Sequence, residues 1–286
     1  MPASSTLIMG AVAYDPKVVT IWDGFQKYFA ARGFDFDYVL FSNYEKQVEA
    51  HVLGQIHVAW NSPLAWLESE RVMNRLGRRA EAICMRDTDI DLTSLVVVRS
   101  NGTVSNLADL KGKTVAVGAS DSPQAKLIPL NFLAAHGLNP EQDFRVLVFD
   151  KLVGKHGDHI GGERDAARAL LRGDADAACM VDGNHPAFIR EGTIPSGATR
   201  VLAQTPVFDH CNFTVLDGAP AEQIARFRDL LLGMSYGDAE VRPLLDLERL
   251  KRWMPGRTQG YAQLSAALDR FGTVDAFVDN LVARCK

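Results

Sequence analysis

The chain has 286 residues, enough for one large domain or two lobes of roughly 100 to 150 residues each. Its 47% hydrophobic and 23% charged content and net charge of −4 are those of an ordinary globular protein. They argue against a nucleic-acid groove or a basic membrane patch, so a small molecule is the expected partner.

The elements alternate from the start. The run "TLIMGAVA" predicts a strand, Lys17 to Arg32 a helix, "FDFDYVLF" a strand, and Tyr44 to Leu53 a second helix. "IHVAWN", a helix through "PLAWLESERVMNRLG", and "AEAICMR" complete a β-α-β-α-β-α-β order, which implies a mostly parallel sheet covered by helices. Ligands in such sheets sit beyond the carboxyl ends of the strands, which directs attention to Tyr14, Asn61 and Ser62. Ser62 before Pro63 also has the form of a helix cap. Trp22, Phe25, Tyr28 and Phe29 recur at helical spacing and read as core.

After "SLVVVRS" the alternation begins again: "SNLADLKGKTVAVGAS", a long helix to His136, "DFRVLVFD", a glycine-rich loop, "RDAARALLRG" and "ADAACMVDG". "RVLAQTPVFDHCNFTVL" reads as one strand returning toward the first lobe, and the chain from Pro220 is largely helical. Two chain crossings, near 97–101 and 204–211, are expected to form a hinge. The lobes are then 1–99 with 206–286, and 100–205.

The stretch "GASDSPQAKL" sits between a strand and a helix, where free N–H groups and the helix dipole favour an anion. Ser120, Asp121, Ser122 and Gln124 lie on this turn, with Asp121 or Ser122 as the cap ahead of Pro123. Pro129 is expected to kink the helix that follows.

The ordered segments "YEKQVEAHVLGQIHVAWNSPLAWL", "SLVVVRSNGTVSNLADLKGKTVAVGASDSPQAKLIPLNFLAAHGL", "DAARALLRGDADAACMVDG" and "RTQGYAQL" cover most of the chain. In that series it resembles the phosphate, phosphite and phosphonate-binding family of ABC-transporter substrate-binding proteins. The resemblance implies an α/β, two-lobed type II periplasmic-binding-protein fold, each lobe a mixed, mostly parallel sheet flanked by helices, with a two-crossing hinge. It implies a receptor that closes on a small ligand and delivers it to an ABC permease, as a monomer, without cofactor, nucleic acid or membrane insertion.

The resemblance also nominates ligand contacts. Where the family carries consecutive hydroxyls, this chain has Asp121-Ser122-Pro123-Gln124, and only Ser122 keeps a hydroxyl at the matched core. Where the family places a histidine before the helix-opening aspartate stands Arg164, preceded by a longer loop holding His156 and His159. The i, i+3 spacing of those histidines around Asp158 has no third ligand in reach of the pattern, so no metal is expected. Asp182 matches a position where the family's amine-bearing ligands meet a carboxylate. His185 and His210 lie on or near the second crossing, beside Cys211. With Asp121 and Asp182 negative and Arg164 and Lys126 positive, a zwitterionic or phosphonate-like ligand is expected.

A rival reading is a cytosolic enzyme on the same fold, resembling menaquinone-pathway or pyrimidine-precursor synthases and using His156, His159, His210 and Cys211. A cytosolic ligand sensor is a third. The start "MPASSTLIMGAVAYDP" lacks a basic segment followed by an apolar run, so the chain as it stands reads as cytoplasmic, or as periplasmic if an export signal has been trimmed. The four cysteines show no paired spacing and are expected to be free thiols.

Overall fold

The computed structural model describes residues 6–13, 16–150 and 160–285. The chain divides into two compact units: Met1–Ile90, Asp209–Tyr261 and Thr273–Lys286 form the first, and Asp91–Phe208 with Ala262–Gly272 the second.

In unit 1, β1 (Leu7–Val12), β2 (Phe36–Phe41), β3 (Val58–Asn61) and β4 (Ala80–Arg86) are separated by α1 (Lys17–Ala30), α2 (Tyr44–Val52) and α3 (Pro63–Arg75). β1 pairs in parallel with both β2 and β3. The helices between successive strands impose this, because a parallel neighbour needs a crossover connection.

Unit 2 is a second sheet. It contains β5 (Ser94–Arg99), β6 (Thr114–Val117), β7 (Arg145–Val148), β8 (Ala177–Val181) and β9 (Thr199–Gln204) in the spatial order β7-β6-β8-β5-β9. β6 is parallel to β7 and β8, and β5 is antiparallel to β8 and β9. Its helices are α4 (Ile128–Ala135), α5 (Ile160–Arg172) and α6 (Asn184–Arg190).

The chain then completes unit 1 with β10 (Asn212–Leu216), α7 (Ala221–Leu232), α8 (Arg242–Leu247) and β11 (Trp253–Pro255). α9 (Ala262–Phe271) belongs to unit 2, where Arg270 Nε donates to Asn131 Oδ1 of α4 at 2.7 Å, and α10 (Asp275–Cys285) closes unit 1. The first sheet runs β11-β4-β10-β3-β1-β2, with β10 antiparallel between β3 and β4.

The single strand expected over "RVLAQTPVFDHCNFTVL" is two strands, β9 and β10, in different units. Pro206 lies between them, and a residue without an N–H cannot continue the ladder. The chain passes between the units at Ile90–Asp91, ahead of the expected 97–101, and at Phe208–Asp209, and the residues flanking these two passages pair. Leu92 and Phe208 exchange two backbone hydrogen bonds of 2.8 Å in unit 2, and His210 N–H donates to Asp89 O at 2.8 Å in unit 1.

The aromatic face of α1 is core, as its spacing predicts: Trp22, Phe25, Tyr28 and Phe29 are all buried. Phe213 of β10 packs against Trp60 at 4.8 Å and Trp253 at 5.3 Å between ring centroids, so the antiparallel insertion strand sits at the centre of this cluster. Rings buried at such distances and tilts add to the area they remove from water. All four cysteines are free thiols.

Candidate functional site

The loop after β6 is built by two prolines and a glycine. Pro129 has no N–H to give the carbonyl four residues back, and its ring would crowd that carbonyl. The carbonyl belongs to Ala125, and it accepts instead from Gly118 N–H at 3.1 Å. The turn before Pro129 widens accordingly into a π-helical turn, Pro123–Leu127, with Leu127 N–H donating to Ser122 O at 3.0 Å. A Cβ on Gly118 would come within 2.7 Å of the Ala125 Cβ, so only glycine lets the strand end meet the helix start this closely. Ser122 is the cap: its Oγ accepts from Ala125 N–H at 3.1 Å, and it is fully buried.

These contacts change what the turn can offer an anion. Pro123 has no donor and the Ala125 N–H is taken by Ser122, which leaves the Gln124 N–H in the first turn. Ser120 gives both its N–H (3.0 Å) and its hydroxyl (2.6 Å) to Asp150, whose carboxyl those bonds hold below the usual range. Lys126 Nζ reaches Ser120 O at 3.3 Å, and burial lowers its pKa against the pull of Asp150 and Asp121.

Beneath the loop lies a carboxylate that sequence reasoning missed. Glu163, fully buried in the first turn of α5, accepts from Gln124 Nε2 (3.3 Å), Val181 N–H (2.9 Å) and Asn184 Nδ2 (2.8 Å). It joins the β6 loop to the loop after the parallel neighbour β8. Its signal in the sequence is the preceding Gly161-Gly162: a Cβ on Gly162 would lie 2.8 Å from Phe149 O, so the pair lets α5 start against the strand ends. Among the described residues, the carboxylates of Asp121, Asp150 and Glu163 border this loop beside the Lys126 ammonium.

The other expected residues of unit 2 are engaged within it. Asp182 accepts from the Thr93 hydroxyl (2.8 Å), Thr93 N–H (3.3 Å) and Gly183 N–H (2.7 Å). His185 Nε2 lies 3.0 Å from Thr199 Oγ1, and partial burial lowers its pKa. Arg164 makes a two-point pair with Glu191 and stacks 5.1 Å over the Phe188 ring.

In unit 1, Ser62 caps α3, accepting from Ala65 N–H at 3.2 Å. Asn61 is fully buried in a chain of side-chain hydrogen bonds running from Gln47 through Thr214 and Asn212 to Tyr261. His210 Nδ1 lies 3.1 Å from Cys211 Sγ and 3.5 Å from Asp89 Oδ1. Burial opposes a charge on this imidazole, yet the sulfur and the carboxylate outweigh it and hold its pKa up to about 10. Tyr14, His156 and His159 lie outside the described residues.

Two α/β units, each with a central sheet and polar loops at its strand ends, define the substrate-binding class of type II periplasmic-binding-protein fold. Solved structures agree in fold. PhnD1 from Prochlorococcus marinus (MIT 9301), in complex with methylphosphonate, matches with a TM-score of 0.67 at 17% identity, over 94% of this chain and 99% of that one. XAC2383 from Xanthomonas citri, bound to ATP, matches with a TM-score of 0.64 at 15% identity, over 97% and 98%. The binding-protein component PA3383 of a Pseudomonas aeruginosa ABC phosphonate transporter matches at 0.60 and 14%, over 98% and 97%. Residues 10–261 match the family model described as "ABC transporter, phosphonate, periplasmic substrate-binding protein", and the chain belongs to that family. Members serve ABC importers in the periplasm, with a small-molecule ligand and a permease as partners. No helix among the described residues is long and apolar enough to cross a membrane.

Proposed function

We propose that this chain is the solute receptor of an ABC importer for a small ligand carrying both an anionic and a cationic group, an aminophosphonate or amino-acid-like zwitterion. Capture is by closure of the two units on the ligand, and the receptor acts in the periplasm as a monomer. Ser120, Asp121, Ser122, Gln124 and Asp182 are the contacts we favour in unit 2.

One observation carries the reading. The β6 loop keeps the strand-turn-helix form of an anion cradle, but Ser122 and Pro123 leave the Gln124 N–H as the donor of its first turn, and among the described residues Asp121, Asp150 and Glu163 border it. A bare dianion is disfavoured there by charge, and an ammonium group is favoured.

A thermal-shift series tests the proposal with phosphate, methylphosphonate, aminoalkylphosphonates and amino acids. A ligand at 100 times its dissociation constant stabilises the fold by about 2.7 kcal/mol. The largest shift is expected from a compound bearing an amine; a large shift with phosphate alone and none with any amine-bearing compound would overturn it.

A further inference from the structure

Asp89, His210 and Cys211 take no part in the ligand loop, yet they are the best-formed cluster of metal-binding side chains among the described residues. Asp89 lies in a short 3-10 turn directly after β4, and His210 and Cys211 directly precede β10. Pairing of β4 with β10, reinforced by the His210-to-Asp89 backbone bond, brings the two segments side by side. One donor atom from each side chain lies within 4.8 Å of the other two.

Geometry separates two readings of such a trio. A nucleophile–base–carboxylate relay uses the two different nitrogens of the imidazole, one for each partner. Here the same atom, His210 Nδ1, faces both Cys211 Sγ at 3.1 Å and Asp89 Oδ1 at 3.5 Å. Three donors gathered this closely, with one imidazole nitrogen facing both partners, suit a coordination shell better than a relay. Donors held about 2.0–2.3 Å from a tetrahedral ion stand roughly 3.3–3.8 Å apart; the two separations from the imidazole, 3.1 and 3.5 Å, lie near that range, and all three donors lie within 4.8 Å of one another.

The surroundings support the ligands. Arg86 donates to both Asp89 oxygens, Nε to Oδ2 at 2.5 Å and Nη2 to Oδ1 at 3.0 Å, which fixes the plane of the carboxylate. Glu248 Oε2 accepts from the same guanidinium at 3.0 Å, so the positive charge of Arg86 is shared between two carboxylates. Tyr261 OH donates to His210 O at 2.8 Å and holds the backbone of the ligand-bearing segment. Asp89 and Cys211 are buried, while the His210 side chain is 23% exposed and gives an ion a way in.

The geometry points to a site for a divalent cation of the zinc class, bound through Asp89 Oδ1, His210 Nδ1 and Cys211 Sγ with its fourth position open to water or a ligand atom. The mixed sulfur, nitrogen and oxygen set suits a borderline-soft ion and disfavours calcium and magnesium, which take oxygen shells. Loading forms the metal–nitrogen and metal–sulfur bonds as the protons carried by His210 and Cys211 leave to solvent.

The test uses the full chain stripped with a chelator, dialysed, and titrated with Zn2+ and Co2+. Expected are one equivalent of zinc retained and, with cobalt, a near-ultraviolet sulfur-to-cobalt band alongside visible bands of tetrahedral intensity. Cys211→Ser and His210→Gln should abolish the sulfur band and the tetrahedral bands respectively, while Cys285→Ser leaves both. A cobalt spectrum without a sulfur band, or one unchanged in Cys211→Ser, overturns the assignment. Should the variants fail to fold, mass-spectrometric mapping of alkylation on the unmodified protein decides: zinc should slow labelling of Cys211 at least roughly tenfold, and equal labelling with and without zinc overturns the site.

Discussion

Asn61 and Thr214, from neighbouring strands β3 and β10, are joined by a 2.9 Å hydrogen bond between two fully buried side chains. Gln47 donates to the other end of the Asn61 amide at 2.8 Å, and Thr214 passes the chain on to Asn212 at 2.7 Å. Such a network fixes which residues of the two strands face each other, because a slipped register would leave buried polar groups without partners. Asn61→Leu, similar in volume, should therefore lower stability by about 1–3 kcal/mol in urea titration. Loss of ligand affinity with unchanged stability would instead make Asn61 a ligand contact.

Arg164 gives a pH-dependent prediction through Glu191. The guanidinium and the Thr193 hydroxyl hold the Glu191 carboxyl down to about 2 in the folded chain, below its value when unfolded. A depressed carboxyl contributes stability above its unfolded pKa and loses it as pH falls toward the folded one, here from about 4.3 down to 2. Both side chains are partly exposed, so the effect is modest. Thermal unfolding of Arg164→Gln should show a shallower acid-side loss than wild type; identical profiles would mean the pair contributes nothing in solution.

His51 acts in the opposite chemical sense with the same sign. Buried on α2, it is held neutral by desolvation, its pKa pushed down to about 3. Between about pH 6.5 and 3 the unfolded chain binds a proton that the folded chain refuses, so stability falls as pH drops, by up to about 1.4 kcal/mol per unit. His51→Leu should flatten the profile between pH 6.5 and 4.5. A profile as steep as wild type would show that another group carries the acid sensitivity.

The fold was legible where local chemistry decides it. The strand "TVAV" stands as read; of the two cap candidates Asp121 and Ser122 it is Ser122 that caps, and Ser62, named as a ligand contact, also takes the cap form it offered, because caps and prolines act within a few residues. Pro129 was legible as a disturbance but not in its consequence, a π-helical turn whose carbonyl is satisfied by Gly118. What the sequence hid depends on partners far apart in the chain. Glu163 meets Gln124 only because β6 and β8 are neighbours, and Asp89 meets His210 only because β10 returns beside β4. No spacing rule joins such pairs.

Asp121 is the residue on which ligand selection should turn. A carboxylate about 4 Å from an ammonium group contributes roughly 4 kcal/mol at an effective dielectric near 20, and opposes a phosphonate by a similar amount. Asp121→Ser should weaken binding of an amine-bearing ligand and strengthen methylphosphonate, each by roughly tenfold or more in calorimetry. If both affinities stay within twofold of wild type, the charge of this residue takes no part in selection.

The most direct test compares two ligands that differ only in the amine. Calorimetric titration of the unmodified chain with an aminoalkylphosphonate and with the alkylphosphonate of equal chain length reads the charge preference of the binding site itself. The amine-bearing compound is expected to bind at least roughly tenfold more tightly, with the advantage shrinking as salt is raised. Tighter binding of the plain alkylphosphonate, at any salt concentration, would contradict it.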